Sequence, residues 1–346
     1  MTTARVMVDV DTGIDDSLAL LFLLASPDAE IVGIASTAGN VAAPVVAANN
    51  LAWLDVCRAG PIEVALGSLT PLVVPLVTTE DTHGPRGIGY AELPPSDRAL
   101  SARSASDLWV DVARRHPGEV TGLVTGPLTN LALALKAEPQ LPQLLRRLVV
   151  MGGAFHYAGN TTPTAEWNIS VDPEAAKVVF DAFSAAALPP IICSLDLTET
   201  IEMKPDHVAR LAQTAGSVPV EEISADHSEA TRSTATNPIV RHFSDAVRFY
   251  MNFHRDHGQG FLAHMHDPFA AAVALDPSIV TTRPVTVDVE LTGTLTRGMT
   301  VADLTGMWGR PPNAEIATQT DPEAFFDLLI ERIGSWARTL YPPVAS

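Results

Sequence analysis

The run V-M-V-D-V-D-T-G-I-D-D-S-L-A-L-L-F-L-L, Val6 to Leu24, constrains this chain more than any other stretch. The alternation of Val6, Val8 and Val10 reads as a buried strand, and the unbroken apolar run Leu18 to Leu24 reads as a helix packed on a sheet. Between them stand Asp9, Asp11, Asp15 and Asp16 around a turn glycine, Gly13. Carboxylates crowded between two buried elements repel one another unless something cationic sits among them. A hard divalent cation suits the place, because it takes oxygen ligands from carboxylates, carbonyls and water. Aspartates in a first helical turn also cap free N–H groups and meet the positive helix end, which accounts for Asp15 or Asp16 singly but not for the cluster. A strand leads into the motif, which excludes an EF-hand. Gly13 stands alone and no lysine follows, which argues against a dinucleotide or P-loop phosphate site.

The 346 residues suffice for a large buried core, and we expect one domain spanning 1–346. No segment is long and charge-free enough to span a bilayer, and the amino terminus lacks the pattern of a signal peptide. Cys57 and Cys193 form no disulfide framework and suit a reducing compartment, so a cytoplasmic location is expected. A formal charge of −18 argues against nucleic-acid or anionic-membrane partners, which call for basic patches.

Strand and helix signals then alternate. Strands are expected over Glu30–Ser36, Ile62–Leu66, Glu119–Val124, Arg147–Met151 and Ile191–Cys193. Helices are expected from Val41 to Cys57 with Asn40 as cap, from a Ser106 cap to Arg115, from Pro127, from Asp172-Pro173 to Phe183, and over Lys204–Thr214, Ile239–His254 and Pro322–Arg338. An alanine-rich helix follows His266-Asp267-Pro268, whose first two residues read equally as ligands or as a cap with a surface histidine. Residues 78–104 read as a long functional or mobile loop, and 215–237 as a lid or insertion. Val285–Leu291 and Gly298–Leu304 pair as antiparallel strands, with Ala314–Thr318 adding another. The pattern predicts an α/β fold with a doubly wound, mostly parallel sheet and a small antiparallel carboxyl-terminal addition. In such folds ligands bind beyond the carboxyl ends of the strands, where Asp9–Asp16, Gly39-Asn40, Thr125–Asn130 and Met151–Asn168 all fall. Asn160, Glu166 and Asn168 offer amides and a carboxylate suited to a polyhydroxylated ligand, although each alone is an ordinary loop residue.

These motifs together carry a resemblance. D-V-D-T-G-I-D-D at Asp9–Asp16 resembles the amino-terminal signature of the inosine–uridine-preferring nucleoside hydrolases. A-G-N-V at Ala38–Val41, H-G at His83-Gly84, T-G-P-L-T-N at Thr125–Asn130, M-G-G at Met151–Gly153, G-N…E-W-N at Gly159–Asn168 and H-D-P at His266–Pro268 follow in that family's order. G-T-L-T-R-G-M-T-V-A-D at Gly293–Asp303 resembles its carboxyl-terminal hairpin, so the likeness covers essentially the whole chain. One departure is Thr12, where the family usually has proline; it alters turn rigidity and touches no ligand.

The resemblance implies a Rossmann-like hydrolase that uses Ca²⁺ to cleave the N-glycosidic bond of small-molecule ribonucleosides, a salvage reaction releasing ribose and a free base. It places the ion on Asp11, Asp16, Asp267 and the Thr125 carbonyl, and makes Asp11 the base that takes a proton from the attacking water. Asn40 would stand close to that water, and Asp15, Asn160, Glu166 and Asn168 would bind the ribose hydroxyls. Met151 would line the sugar, His83 would border the base, and His266 is the candidate acid for the leaving base. Asp9 reads as a structural acid behind the site, and a homodimer or homotetramer is implied. Base preference would sit in loops 79–104 and 215–260, with Tyr250, His254 and Arg255 reaching either the base or solvent. Two alternatives remain open. D-x-D-T after a strand also suits a haloacid-dehalogenase-like phosphatase, and the same residues could serve a Ca²⁺-stabilised nucleoside-binding protein that turns nothing over.

Overall fold

The computed structural model describes residues 3–184, 186–219 and 221–343. Its strands are β1 (Ala4–Val10), β2 (Ala29–Ser36), β3 (Val64–Leu66), β4 (Val120–Val124), β5 (Arg147–Met151), β6 (Ile191–Cys193), β7 (Glu202–Met203), β8 (Ala263–His264), β9 (Thr281–Val289), β10 (Thr300–Asp303) and β11 (Ala314–Gln319). All but β7 and β8 form one nine-stranded sheet in the order β10-β9-β11-β6-β5-β4-β1-β2-β3. From β3 through β6 to β11 every neighbouring pair is parallel, whereas β9 pairs antiparallel with both β11 and β10. The expected hairpin is therefore present. The strand at 314–319 joins it to the parallel sheet, an arrangement set by long-range pairing that local pattern does not encode.

Both faces of the sheet are covered. Val6, Val8 and Val10 of β1 face a core built with helices Ile14–Ala25, Pro238–Asp256, His266–Leu275 and Pro322–Leu340. Met7 faces the opposite core with helices Ala105–Arg115, Thr129–Ala137 and Pro173–Phe183. Burial on both sides explains why these strands read as near-continuous apolar runs. Chain order reverses direction at β1, with β2 on one side and β4 on the other, so the crevice beyond the carboxyl ends of β1 and β4 is the expected ligand site. No helix among the described residues is long and apolar enough to cross a membrane.

Two caps differ from expectation. The second helix runs from Ala43 to Val56 with Ala42 at its N-cap and no side-chain cap, so Asn40 is not its cap. In the helix Ala105–Arg115 the cap is Ser104, which accepts the Asp107 N–H, and Ser106 lies inside the first turn. Within the 78–104 loop one turn of helix, Glu80–His83, lifts His83 toward the crevice. Residues 215–237, where described, contain no helix or strand.

Candidate active site

The acidic cluster forms because two helix starts converge. Helix Ile14–Ala25 is almost wholly buried and packs against helix His266–Leu275. Asp15 and Asp16 lie in the first turn of one and Asp267 in the first turn of the other, so their carboxylates meet where unpaired N–H groups and helix dipoles favour negative charge. One carboxylate oxygen from each lies within 4.8 Å of the others.

Asp11, the first residue beyond β1, joins them from below. Its Oδ2 accepts the Asn40 N–H at 2.8 Å, while its Oδ1 is buried with no hydrogen-bond partner. Asp16 is held more fully: Oδ2 accepts from the Gly13 N–H at 2.8 Å and from Asn40 Nδ2 at 3.2 Å, and Oδ1 accepts from Thr125 Oγ1 at 2.7 Å. Burial, reinforced by mutual repulsion, pushes Asp15 up to about 8 and holds Asp11 and Asp267 well above the ordinary carboxylate range. Burial also raises Asp16, against the hydrogen bonds from Thr125 and Gly13. An orphaned buried oxygen and a knot of carboxylates that disfavour their own charge are what a hard divalent cation would relieve; the donor set fits one. The three-way cluster contains Asp15 where the resemblance placed Asp11, and Asp11 sits one layer behind the cavity wall made by Asp15 and Asn40. Asp9 stands apart: it accepts from Trp109 Nε1 at 2.8 Å and Asn130 Nδ2 at 2.9 Å, and burial pushes it up to about 7.

Glycines make this close packing possible. A Cβ on Gly39 would overlap Asp11 Oδ2 and lie 2.8 Å from Pro127 Cδ, whereas a Cβ on Gly60 meets nothing within 4 Å. Gly39→Ala should therefore displace the Asp11 carboxylate and lower turnover by about a hundredfold, the cost of roughly 1 Å of misplacement. Gly60→Ala, assayed beside it, should match the parent in rate and Tm.

Above the carboxylates opens a cavity of about 530 Å³. Asp15, Asn40, His83, Thr125, Met151, Asn160, Glu166, Asn168, His266 and Asp267 all line it, so the structure brings the scattered motifs to one place. No lysine or arginine lines it among the described residues. Their hydrogen bonds define what each can still offer. Glu166 caps the short helix Trp167–Val171: its Oε1 accepts the Asn168 N–H, and its Oε2 accepts the Gly153 and Ile169 N–H groups. Asn160 Oδ1 accepts the Trp167 N–H, which frees its amide N–H groups to donate. Asn168 Nδ2 donates to the Thr125 carbonyl at 2.7 Å and the Met151 carbonyl at 3.2 Å, which frees its Oδ1 to accept. The Thr125 carbonyl keeps one lone pair uncommitted.

The opposite wall is aromatic. His83 Nδ1 accepts the Ile14 N–H at 3.1 Å, and its ring tilts over Tyr250 at 5.3 Å. Tyr250, His254 and His264 continue the wall, and burial holds His83 near 4 and His254 near 3, so both rings are neutral. Of the three residues left open on this helix, Tyr250 and His254 reach the cavity, while Arg255 points outward to Asp256 and the Ala225 carbonyl. Sequence reasoning missed the rim pair in which Tyr157 Oη donates to Glu199 Oε2 at 2.7 Å. It also missed His264, placed by the two-residue β7–β8 ribbon, and Thr198, which touches His266 Nδ1 at 2.7 Å. Elements this short leave no periodic signal.

The profile of the inosine-uridine preferring nucleoside hydrolases matches residues 6–327. Pyrimidine-specific ribonucleoside hydrolase RihA of Citrobacter koseri is 36% identical over 333 residues, 96% of this chain and 98% of that protein. The protein of the same name from Salmonella typhimurium is also 36% identical, over 96% of this chain and 99% of its own. Among solved structures, a purine-preferring ribonucleoside hydrolase from Gardnerella vaginalis superposes with a TM-score of 0.84 at 29% identity, covering 97% of this chain and 99% of that one. An inosine-guanosine nucleoside hydrolase does so with a TM-score of 0.82 at 26% identity, covering 96% and 99%.

Proposed function

Because this chain belongs to the inosine-uridine preferring nucleoside hydrolase family, we propose that it hydrolyses the N-glycosidic bond of ribonucleosides with Ca²⁺ held at the buried acidic cluster, releasing ribose and a free base. The observation that carries the reading is the knot of Asp11, Asp15, Asp16 and Asp267 at and just behind the floor of a cavity that no lysine or arginine lines among the described residues. A phosphatase of that kind needs a basic side chain against its phosphate besides a metal ion, and no lysine or arginine lines the cavity among the described residues, so that alternative is set aside.

Asp11, Asp16, Asp267 and the Thr125 carbonyl would hold the ion, with Asp15 beside them. When bound, Ca²⁺ would orient polar groups of the substrate and lower the pKa of a neighbouring water, less strongly than zinc would. Asp11 takes the proton from the attacking water, its carboxylate held in place by the Asn40 N–H on Oδ2. Ribose hydroxyls both donate and accept, and the cavity offers both senses: Asn160 Nδ2 donates, while Asp15, Glu166 and Asn168 Oδ1 accept. Met151 packs against the sugar and His83 against the base. As the bond breaks, positive charge grows on the ribosyl ring, and carboxylates fixed around it stabilise that charge without having to reorganise. His266 hydrogen-bonds the departing base through its Nε2–H and moves that proton toward it as the bond breaks; the proton that Asp11 takes from water, returned through solvent, restores the ring.

Protonating a poor leaving group is worth about 10²–10⁴-fold. His266→Ala should lose about that factor on inosine or uridine and little on a 4-nitrophenyl riboside, whose phenolate leaves unaided. An unchanged rate on inosine would remove His266 from the chemistry. The function itself is tested by reducing sugar released from uridine, cytidine, inosine and guanosine, with and without chelator. The panel spans the pyrimidine and purine names of the relatives. Ribose release that chelator stops and calcium restores is expected; tight nucleoside binding with no ribose would make this a binding protein. We read the enzyme as cytoplasmic and as a homodimer or homotetramer; sedimentation of the purified protein would show its oligomeric state.

A further inference from the structure

We propose that Thr198 is the positioning residue that sets the His266 imidazole in the tautomer carrying its proton on Nε2. The inference deepens the reading above and rests on it for the role of His266.

Thr198 closes the one-turn helix Leu195–Thr198 that follows β6, and it is fully buried. Its Oγ1 lies 2.7 Å from His266 Nδ1. A buried hydroxyl has one hydrogen to place and needs an acceptor for it. Nearby Thr200 turns its hydroxyl to the Leu197 carbonyl, but Thr198 makes no such backbone bond. Among the described residues the partner of Thr198 Oγ1 is the imidazole nitrogen. The hydroxyl therefore donates and Nδ1 accepts.

A neutral imidazole that accepts at Nδ1 carries its hydrogen at Nε2. Nε2 is the ring nitrogen left for the cavity that His266 lines. The reverse arrangement, Nδ1–H donating to Thr198, would strand the hydroxyl hydrogen and turn a lone pair toward a departing base that bears one of its own. One hydrogen bond thus decides whether the ring can serve the leaving group.

The backbone holds this pair from both sides. The Leu195 N–H donates to the Gly153 carbonyl, and the Met265 N–H donates to the Ile201 carbonyl. β7 and β8 pair Glu202 with His264. The segment just after Thr198 is thereby tied to the segment just before His266, so their spacing follows from main-chain bonds and not from two free side chains. This also gives the short ribbon a purpose.

The test compares uridine with 4-nitrophenyl β-D-ribofuranoside on the calcium-loaded enzyme. Thr198→Val keeps the shape and removes the hydroxyl. It should lower kcat on uridine relative to the nitrophenyl riboside by about ten- to a hundredfold, the range expected for one buried hydrogen bond. Thr198→Ser, which restores the hydroxyl, should restore the ratio. An equal fall on both substrates that serine does not rescue would mean packing only, and no fall would mean no role; either overturns the proposal. Long-range ¹H–¹⁵N spectra, with His266 assigned through His266→Gln, should show its Nδ1 unprotonated in the parent and a tautomer mixture in Thr198→Val. A protonated Nδ1 in the parent overturns the proposal whatever the kinetics. If the tautomer stands but His266→Ala treats both substrates alike, the donor role of His266 fails and the Thr198 assignment does not.

Discussion

Replacing Asp11 with asparagine is expected to cut ribose release by about 10³-fold while leaving the protein no less stable in the absence of calcium. Both halves follow from one carboxylate. The carboxylate accepts one hydrogen bond, from the Asn40 N–H, and is otherwise free to meet the ion and take a proton from water, so an amide there removes the base. Asparagine can still accept the Asn40 N–H through its own oxygen, so the local backbone keeps its bond. The substitution also removes a buried acid that burial and Asp16 hold well above its usual pKa. A buried charge without a partner costs stability, and sites arranged for chemistry commonly carry that cost. In chelator at pH 8, the variant's Tm should equal or exceed the parent's. A large fall in Tm would mean that Asp11 acts through the fold.

Removing calcium should both stop turnover and make stability depend steeply on pH. In the cation-free protein Asp11, Asp15, Asp16 and Asp267 all hold their protons above the ordinary carboxylate range, Asp15 up to about 8, chiefly through burial. The folded state then binds more protons than the unfolded chain at every pH between the ordinary carboxylate pKa and the raised ones. Stability must therefore fall as pH rises through that window. A cation that displaces those protons stabilises more where they are costlier to keep. Calcium at a hundred times its Kd should contribute roughly 3 kcal/mol. Thermal scans in chelator should show Tm falling from pH 5 to pH 8, and calcium should raise Tm by several degrees, more at pH 8 than at pH 5. A calcium effect that is flat with pH would place the ion elsewhere.

Much of this site is legible in the sequence because a parallel sheet puts ligands at strand ends. Asp11, Thr125 and Met151 each sit at or just past the end of a β-branched run, so position alone marks them. The resemblance then supplied roles that spacing could not. What stayed hidden depends on contacts between distant segments. Asn40 looks like a helix cap, and instead its backbone N–H donates to Asp11 and its side-chain amide to Asp16, holding the two together across the crevice. Glu166 looks like a free loop acid, yet it caps a helix of five residues, too short to leave a pattern. Ser104 could have been preferred over Ser106, since only Ser104 stands three residues before Asp107, the spacing of a capping box. Thr198 carries no local signal at all; only the β7–β8 ribbon brings it to His266.

The most direct measurement is a crystal structure grown in calcium, with data collected where the ion's anomalous signal identifies it. The expected result is one ion among Asp11, Asp16, Asp267 and the Thr125 carbonyl, and its loss in crystals of Asp16→Ala. Crystals that diffract well in excess calcium and show those carboxylates with no ion among them would contradict the proposal at its root.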